Sequence, residues 1–439
     1  MIAVLGAGMA GVGALTRLKR EGIDDAVVYD MKSHIGGHTA SYEYDSGFTF
    51  DEGPHISFTT DDRIKALFAA NVEGRYETIH AQVNNYWKGY WIKHPAQVNM
   101  YGLPEELVVD ALKQLIDAQY REPGPIANYE DWLVASFGRR FAETFPMQYG
   151  LKYHTTHAAN MSTDWLGPRL YKAKIEEVLR GAISPTTPDV HYIQEFRYPS
   201  RGGFVSYLAP MLRDVPVQLN HRLERLDPKA RTLRFSNGVV TPYDHVISSI
   251  PLPELIPLID GAPHDVRDAA SRLSCSTCVI VNIGIDRADI SNWHWTYFYD
   301  QDFCFSRLNF PHMLSPHNAP AGCGSIQAEL YFSRKYKPLT GKPEDWIDPT
   351  IRDLKRCGLI REEDRILFKG VLLSPYANVI FDLERADALK TVHGYLEDVG
   401  IRWAGRYGEW AYIWTDESFM SGERAAERVL DSLNVRAGR

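Results

Sequence analysis

At 439 residues, with 44% hydrophobic and 24% charged side chains, the chain has room for about two or three packed cores and is neither disordered nor membranous in composition. A formal net charge of −8 excludes nucleic acid as a general partner, since phosphate neutralisation needs a basic face, so any anionic ligand must meet local arginines. No run of ~18 uninterrupted apolar residues occurs and Ile2 opens directly on a strand without a basic leader, so a cytoplasmic protein with no membrane partner is expected.

Ile2-Ala3-Val4-Leu5 reads as a short buried strand that stops at Gly6. Helical spacing through Leu15 and Leu18 follows to about Arg20, and Ala26-Val27-Val28-Tyr29 gives a second strand ending at Asp30, which together make a βαβ opening. Residues 42–58 alternate around Asp45-Ser46-Gly47 as a hairpin. A second hairpin is expected over 78–93 with a Lys88-Gly89 turn, both in a separate sheet. Helical periodicity over 104–120, 128–145 and 169–181 predicts a helical insertion, closed by the loop Ser184-Pro185-Thr186-Thr187-Pro188. Strands return over 217–250 and dominate 278–333, with helices at 346–357 and 385–398. The last segment reads as a strand at 401–404 and a helix at 416–433. The five cysteines do not form a disulfide framework, and Cys275 and Cys278 are expected as packed thiols rather than a redox pair.

Gly6-Ala7-Gly8-Met9-Ala10-Gly11 is a GxGxxG turn between strand and helix, and Asp30 lies 19 residues after its last glycine. Glycines allow the backbone to approach a pyrophosphate, the helix N-terminus favours its charge, and the carboxylate can accept from ribose hydroxyls. A dinucleotide site follows from these positions.

The stretch from Met31 through Ile35-Gly36-Gly37-His38, together with Phe50-Asp51-Glu52-Gly53-Pro54-His55 and Tyr243-Asp244-His245-Val246-Ile247-Ser248-Ser249-Ile250-Pro251, resembles the FAD-binding amine oxidase superfamily. Gly405-Arg406-Tyr407-Gly408-Glu409-Trp410 and the segment 416–422 resemble its C-terminal FAD motif. The resemblance implies an α/β fold: a Rossmann-like two-part FAD-binding domain with an inserted helical domain and a mixed β-sheet substrate domain. The expected boundaries are 1–75, 191–260 and 396–439 for the FAD-binding parts, 76–100 for a substrate-domain hairpin, 101–190 for the helical insertion and 261–395 for the substrate sheet. Non-covalent FAD is implied, held by Gly6, Gly8, Met9, Ala10, Gly11, Asp30, Met31, Gly36, Gly37, His38, Gly53, Pro54, His55, Leu223, Gly405, Arg406, Asp416, Glu417, Ser418 and Phe419. Pro54 stands where the family has glycine.

Over nearly its full length the chain is similar to UDP-galactopyranose mutases, enzymes that use reduced FAD as a covalent catalyst to exchange the ring size of a nucleotide sugar. Asp164-Trp165-Leu166-Gly167-Pro168-Arg169, Tyr297 with Arg307, and Arg406 with Tyr412 match that family's substrate segments. The resemblance implies His55, Arg169 and Arg307 as catalytic residues. It implies Gln97, Asn99, His154, Arg169, Tyr297, Arg307, Tyr376, Asn378, Arg406 and Tyr412 as contacts to a nucleoside-diphosphate sugar, and NAD(P)H as external reductant. Bidentate guanidinium groups suit a diphosphate. Departures fall at the base end: His154 stands in the place of an aromatic residue, and His94 and Ala96 stand where the family has Tyr and Phe. Reduced stacking for uracil is therefore expected, with extra room at Ala96 and a nucleotide sugar other than UDP-galactose as substrate. A second reading is an FAD-dependent oxidoreductase, of the amine oxidase or dehydrogenase type, acting on a small molecule.

Overall fold

The computed structural model describes residues 1–122, 124–167 and 171–437, with side chains to residue 433. A five-stranded parallel sheet is ordered Ile401–Trp403, His245–Ser248, Ile2–Leu5, Ala26–Tyr29 and Val217–Gln218. Its central strand is apolar on both faces because both are covered. Ile2 and Val4 face the helices Met9–Arg20 and Thr415–Ala437, while Ala3 and Leu5 pack toward the three-stranded sheet of Leu223–Asp227, Thr232–Phe235 and Val240–Pro242. The two helices approach at glycines. A Cβ built on Gly13 would lie 2.0 Å from the Phe419 carbonyl oxygen, and one on Gly422 would lie 1.8 Å from that of Ala10.

The second layer is a seven-stranded mixed sheet, ordered Ile366–Ser374, Ser276–Ile285, Gly324–Ser333, Arg307–Asn309, Trp295–Phe298, Val83–Trp87 and Tyr90–Lys93. Its last two strands form the expected hairpin, with Lys88 (φ 46°) and Gly89 (φ 88°) in the left-handed turn that matches strand twist. Residues 78–80, expected in that hairpin, belong instead to the strand Tyr76–His80, which pairs with Glu195–Pro199. The hairpin around Asp45 pairs Ser41–Glu43 with Thr49–Asp51 as its own two-stranded sheet.

The helical insertion packs Glu105–Tyr120, Tyr129–Phe137, Arg139–Thr144, Pro146–His154 and Ile175–Ile183 around their own core. The helix expected over 128–145 breaks at Gly138, whose φ of 76° and 2.7 Å Cβ distance to the Gln114 backbone admit no side chain. The helix expected over 169–181 begins at Ile175, and residues 168–170 lie outside the described residues. All five cysteines are unpaired. Cys278 is buried, and burial pushes the Cys275 thiol up to about 12, so neither presents a ready thiolate. Among the described residues no helix is long and apolar enough to cross a membrane.

Candidate functional site

A cavity of about 1170 Å³ runs from the glycine turn at Gly6, between the two large sheets, into the helical insertion. At one end Gly8 caps the helix Met9–Arg20 without a side-chain bond, leaving the first-turn amides for a ligand. Gly8 and Gly36 form a parallel bridge, and a Cβ on Gly37 would stand 3.1 Å from the Gly8 Cα, so three glycines make a cradle that side chains would fill. Gly6, Met9, Ala10, Met31, His38, Gly53, Pro54, Leu223 and Gly405 line the same end. The geometry fits a dinucleotide phosphate. Asp30 does two jobs there: Oδ2 accepts the Ala7 amide at 2.7 Å and Oδ1 that of Lys32 at 2.8 Å, bracing the turn while each oxygen keeps a lone pair.

Four residues assigned to the cofactor fall elsewhere. Gly11 does not line the cavity. Its hydrogen faces the Gly6 carbonyl, 1.8 Å from where a Cβ would be, so it serves helix–turn packing. Phe419 is fully buried against the first helix, and Glu417 caps its own helix by accepting the Trp414 amide at 2.6 Å. Asp416 also stays outside the lining, whereas Trp414, Thr415 and Ser418 belong to it. His55 also lines the cavity. Its Nδ1 donates to the Gly53 carbonyl at 2.9 Å, which leaves Nε2 as an acceptor, and burial holds the ring at about 4, so it is neutral.

Beyond His55 stand Tyr297 and Arg307, cross-strand neighbours that both line the cavity. Arg307 pairs through Nε and Nη2 with Glu329, which also accepts from the Tyr331 hydroxyl at 2.9 Å. Glu329 is 4% exposed and was not singled out from sequence; it sits in an alternating apolar strand where only its charge marks it. Arg406 is different. Its guanidinium donates to the carbonyls of Ile413 (2.7 and 3.1 Å) and Ala377 (3.2 Å) and to Asn378 Oδ1 (3.4 Å), with no carboxylate partner among the described residues. Tyr412 shares a 2.7 Å hydrogen bond with Tyr153, and Tyr376 donates to Glu254 at 2.6 Å on the cavity wall.

At the far end, Gln97 donates to the Tyr171 carbonyl at 2.9 Å and leaves its oxygen for the cavity. His154 is buried between Tyr153 and Trp165, with Nδ1 unpartnered among the described residues and the ring held near 3, hence neutral. Two expectations need correction here. Asn99 does not reach the cavity, because its amide donates to the Pro95 carbonyl at 2.8 Å and accepts from Thr187. Ala96 is packed into the helical core and opens no space. Instead Tyr129, Phe137, Phe141, Phe145, Tyr149 and Tyr153 line this arm, so aromatic surface for a base is plentiful. The helix carrying most of them was read as one continuous rod, which hid the face they share. Arg169 lies outside the described residues.

A family model described as flavin containing amine oxidoreductase matches residues 9–430. The chain belongs to that family. It is an FAD flavoprotein, and the glycine cradle fits that cofactor. Over 98% of this chain and 95% of the other, the fold superposes on reduced UDP-galactopyranose mutase with a TM-score of 0.92 at 26% identity, so it falls in the mutase-like branch. A protein from Exiguobacterium sp. 255-15 named for protoporphyrinogen oxidase follows at TM-score 0.74, covering 98% of each chain. Its 16% identity speaks for fold alone. Among curated proteins, the 4,4'-diapophytoene desaturase of Staphylococcus aureus strain Newman is 24% identical over 348 residues, 68% of this chain. The chain spans 66% of that enzyme's length.

Proposed function

We infer that this flavoprotein is a mutase acting on a nucleoside-diphosphate sugar, exchanging the ring size of the sugar without net oxidation. The observation that carries this reading is Arg406. A half-buried guanidinium whose partners among the described residues are all neutral oxygens keeps its charge uncompensated, and the cavity beside it asks for an anion. An amine substrate is itself cationic and an apolar chain offers no counter-charge, so the oxidoreductase alternative fits this wall poorly. When bound and reduced, FAD supplies a nucleophile, and NAD(P)H is the proposed reductant. The residues do the rest: Arg307, Arg406, Tyr297 and Tyr412 would hold the diphosphate, and His55 offers a neutral acceptor at Nε2 on the cavity wall. The aromatic arm removes the ground for excluding uracil, so UDP-, dTDP- and GDP-sugars all stand as substrates.

Anaerobic incubation of dithionite-reduced protein with those sugars tests the reading. A mutase returns product of unchanged mass with altered ring form and needs no acceptor. Stoichiometric consumption of an electron acceptor, with no product under reducing conditions, would instead establish an oxidoreductase.

A further inference from the structure

The wall beside Tyr297 carries two imidazoles that this mechanism does not use. His94 and His191 both line the cavity, with ring centroids 5.0 Å apart. His94 Nδ1 lies 2.9 Å from Asn85 Oδ1. The Asn85 amide is itself oriented, since Nδ2 donates to the Ile92 and Lys93 carbonyls at 3.3 and 3.4 Å and Oδ1 also accepts from the Tyr299 hydroxyl at 3.1 Å. An amide oxygen cannot donate, so the proton of His94 is on Nδ1 and a lone pair is on Nε2. His191 is fixed in the same way, with Nδ1 2.8 Å from the Ile193 carbonyl and Nε2 buried without a partner among the described residues. Burial pushes both rings below the usual imidazole range, so neither meets a ligand as a cation.

Two neutral acceptors side by side do not hold a phosphate, whose oxygens only accept. They match a pair of donors. The His94 ring is 5.0 Å from that of Tyr297, the cross-strand partner of Arg307, so the imidazoles flank the place assigned to the diphosphate. We propose that His94 and His191 accept hydrogen bonds from adjacent sugar hydroxyls beside the diphosphate and select ligands that carry a vicinal diol there. This rests on the nucleoside-diphosphate reading. The diol belongs either to the ribose of the nucleotide or to the sugar being isomerised, and ligands lacking one hydroxyl separate the two.

The test is titration of the oxidised holoprotein, followed by flavin absorbance, with UDP against 2'-deoxy-UDP, GDP against 2'-deoxy-GDP, and a UDP-hexose against its 2-deoxy-hexose counterpart. Each series is repeated on His94→Phe and His191→Phe, which keep a ring and delete the lone pair, with flavin content as the check on folding. His191→Phe, on a loop, serves if His94→Phe loses FAD. A ribose contact gives roughly three- to tenfold tighter binding of the ribonucleotide, and the gap closes in the variants. A sugar contact gives equal binding of the nucleotides and a gap only within the hexose pair. A gap that is absent from the unmodified protein, or that survives both substitutions, overturns the proposal alone. Failure of UDP and GDP to bind at millimolar concentration overturns the nucleoside-diphosphate reading and the proposal with it.

Discussion

The two cavity arginines differ in what surrounds them, and the difference is measurable. Arg307 is neutralised by Glu329, whereas Arg406 meets only neutral oxygens among the described residues. Truncating Arg406 to alanine is therefore expected to weaken nucleoside-diphosphate binding by roughly ten- to hundredfold, the scale of one charge-assisted contact, and Arg406→Lys should recover part of it. Binding by Arg406→Ala that matches the unmodified protein, with flavin content intact, would remove the anion argument. Glu329→Gln should act in the opposite direction. It lifts a carboxylate from beside the phosphates and frees the Arg307 charge, so the same titration is expected to show tighter binding. If it shows weaker binding, Glu329 orients Arg307 more than it offsets it. None of this pairing was visible in sequence, because 22 residues separate the partners along the chain and only strand register brings them together.

At the scale of elements, the parts that announce themselves are local. The strand, glycine turn, helix and acid of the first 30 residues lie where spacing puts them, and so do the Lys88-Gly89 turn and the helix Arg385–Asp398. What stayed hidden depends on partners far away in the chain. The strand Ile366–Ser374 is mostly exposed along one face, and Lys369-Gly370 splits its apolar residues into two short runs, yet it pairs along its length with Ser276–Ile285. At the break, Gly138 is held at φ 76° against Gln114, a long-range contact that leaves no room for a side chain. The crossing of the first and last helices is likewise tertiary. Gly422→Ala would drive a methyl into the Ala10 carbonyl at 1.8 Å, in the first turn of the helix whose amides face the cofactor. A loss of about 1–3 kcal/mol from overpacking is expected, together with lower FAD occupancy. Calorimetry and the flavin-to-protein absorbance ratio report the two effects; an unchanged ratio at lowered Tm would mean that the crossing supports stability without shaping the cradle.

On the scale of the whole molecule, the three layers share one cavity, and burial around it keeps histidines neutral. Burial lowers His38 and His154 to about 3, and His55 and His294 to about 4, from an ordinary 6.5. In the unfolded chain these rings take protons as the pH falls below 6.5, while in the native state they do not. Their contribution to stability is therefore complete above that value and is lost progressively from 6.5 down to about 4. Asp51 opposes them. Burial raises its carboxyl from 3.8 to about 6, so the native state binds a proton there first, which favours folding between those values. Burial also lowers His94, His191, His312 and His393, so the lowered histidines outnumber the raised carboxylates Asp51 and Asp300, and the net effect between pH 6.5 and 5.5 is a loss of stability. Tm is therefore expected to fall on acidification across that unit. Scanning calorimetry of the holoprotein across that unit measures it, and His154→Phe, which removes one titrating ring, should shallow the slope. A Tm that holds level or rises on acidification would mean that these rings accept protons in the folded protein. The neutral tautomers assigned to His55 and His154 would then be wrong.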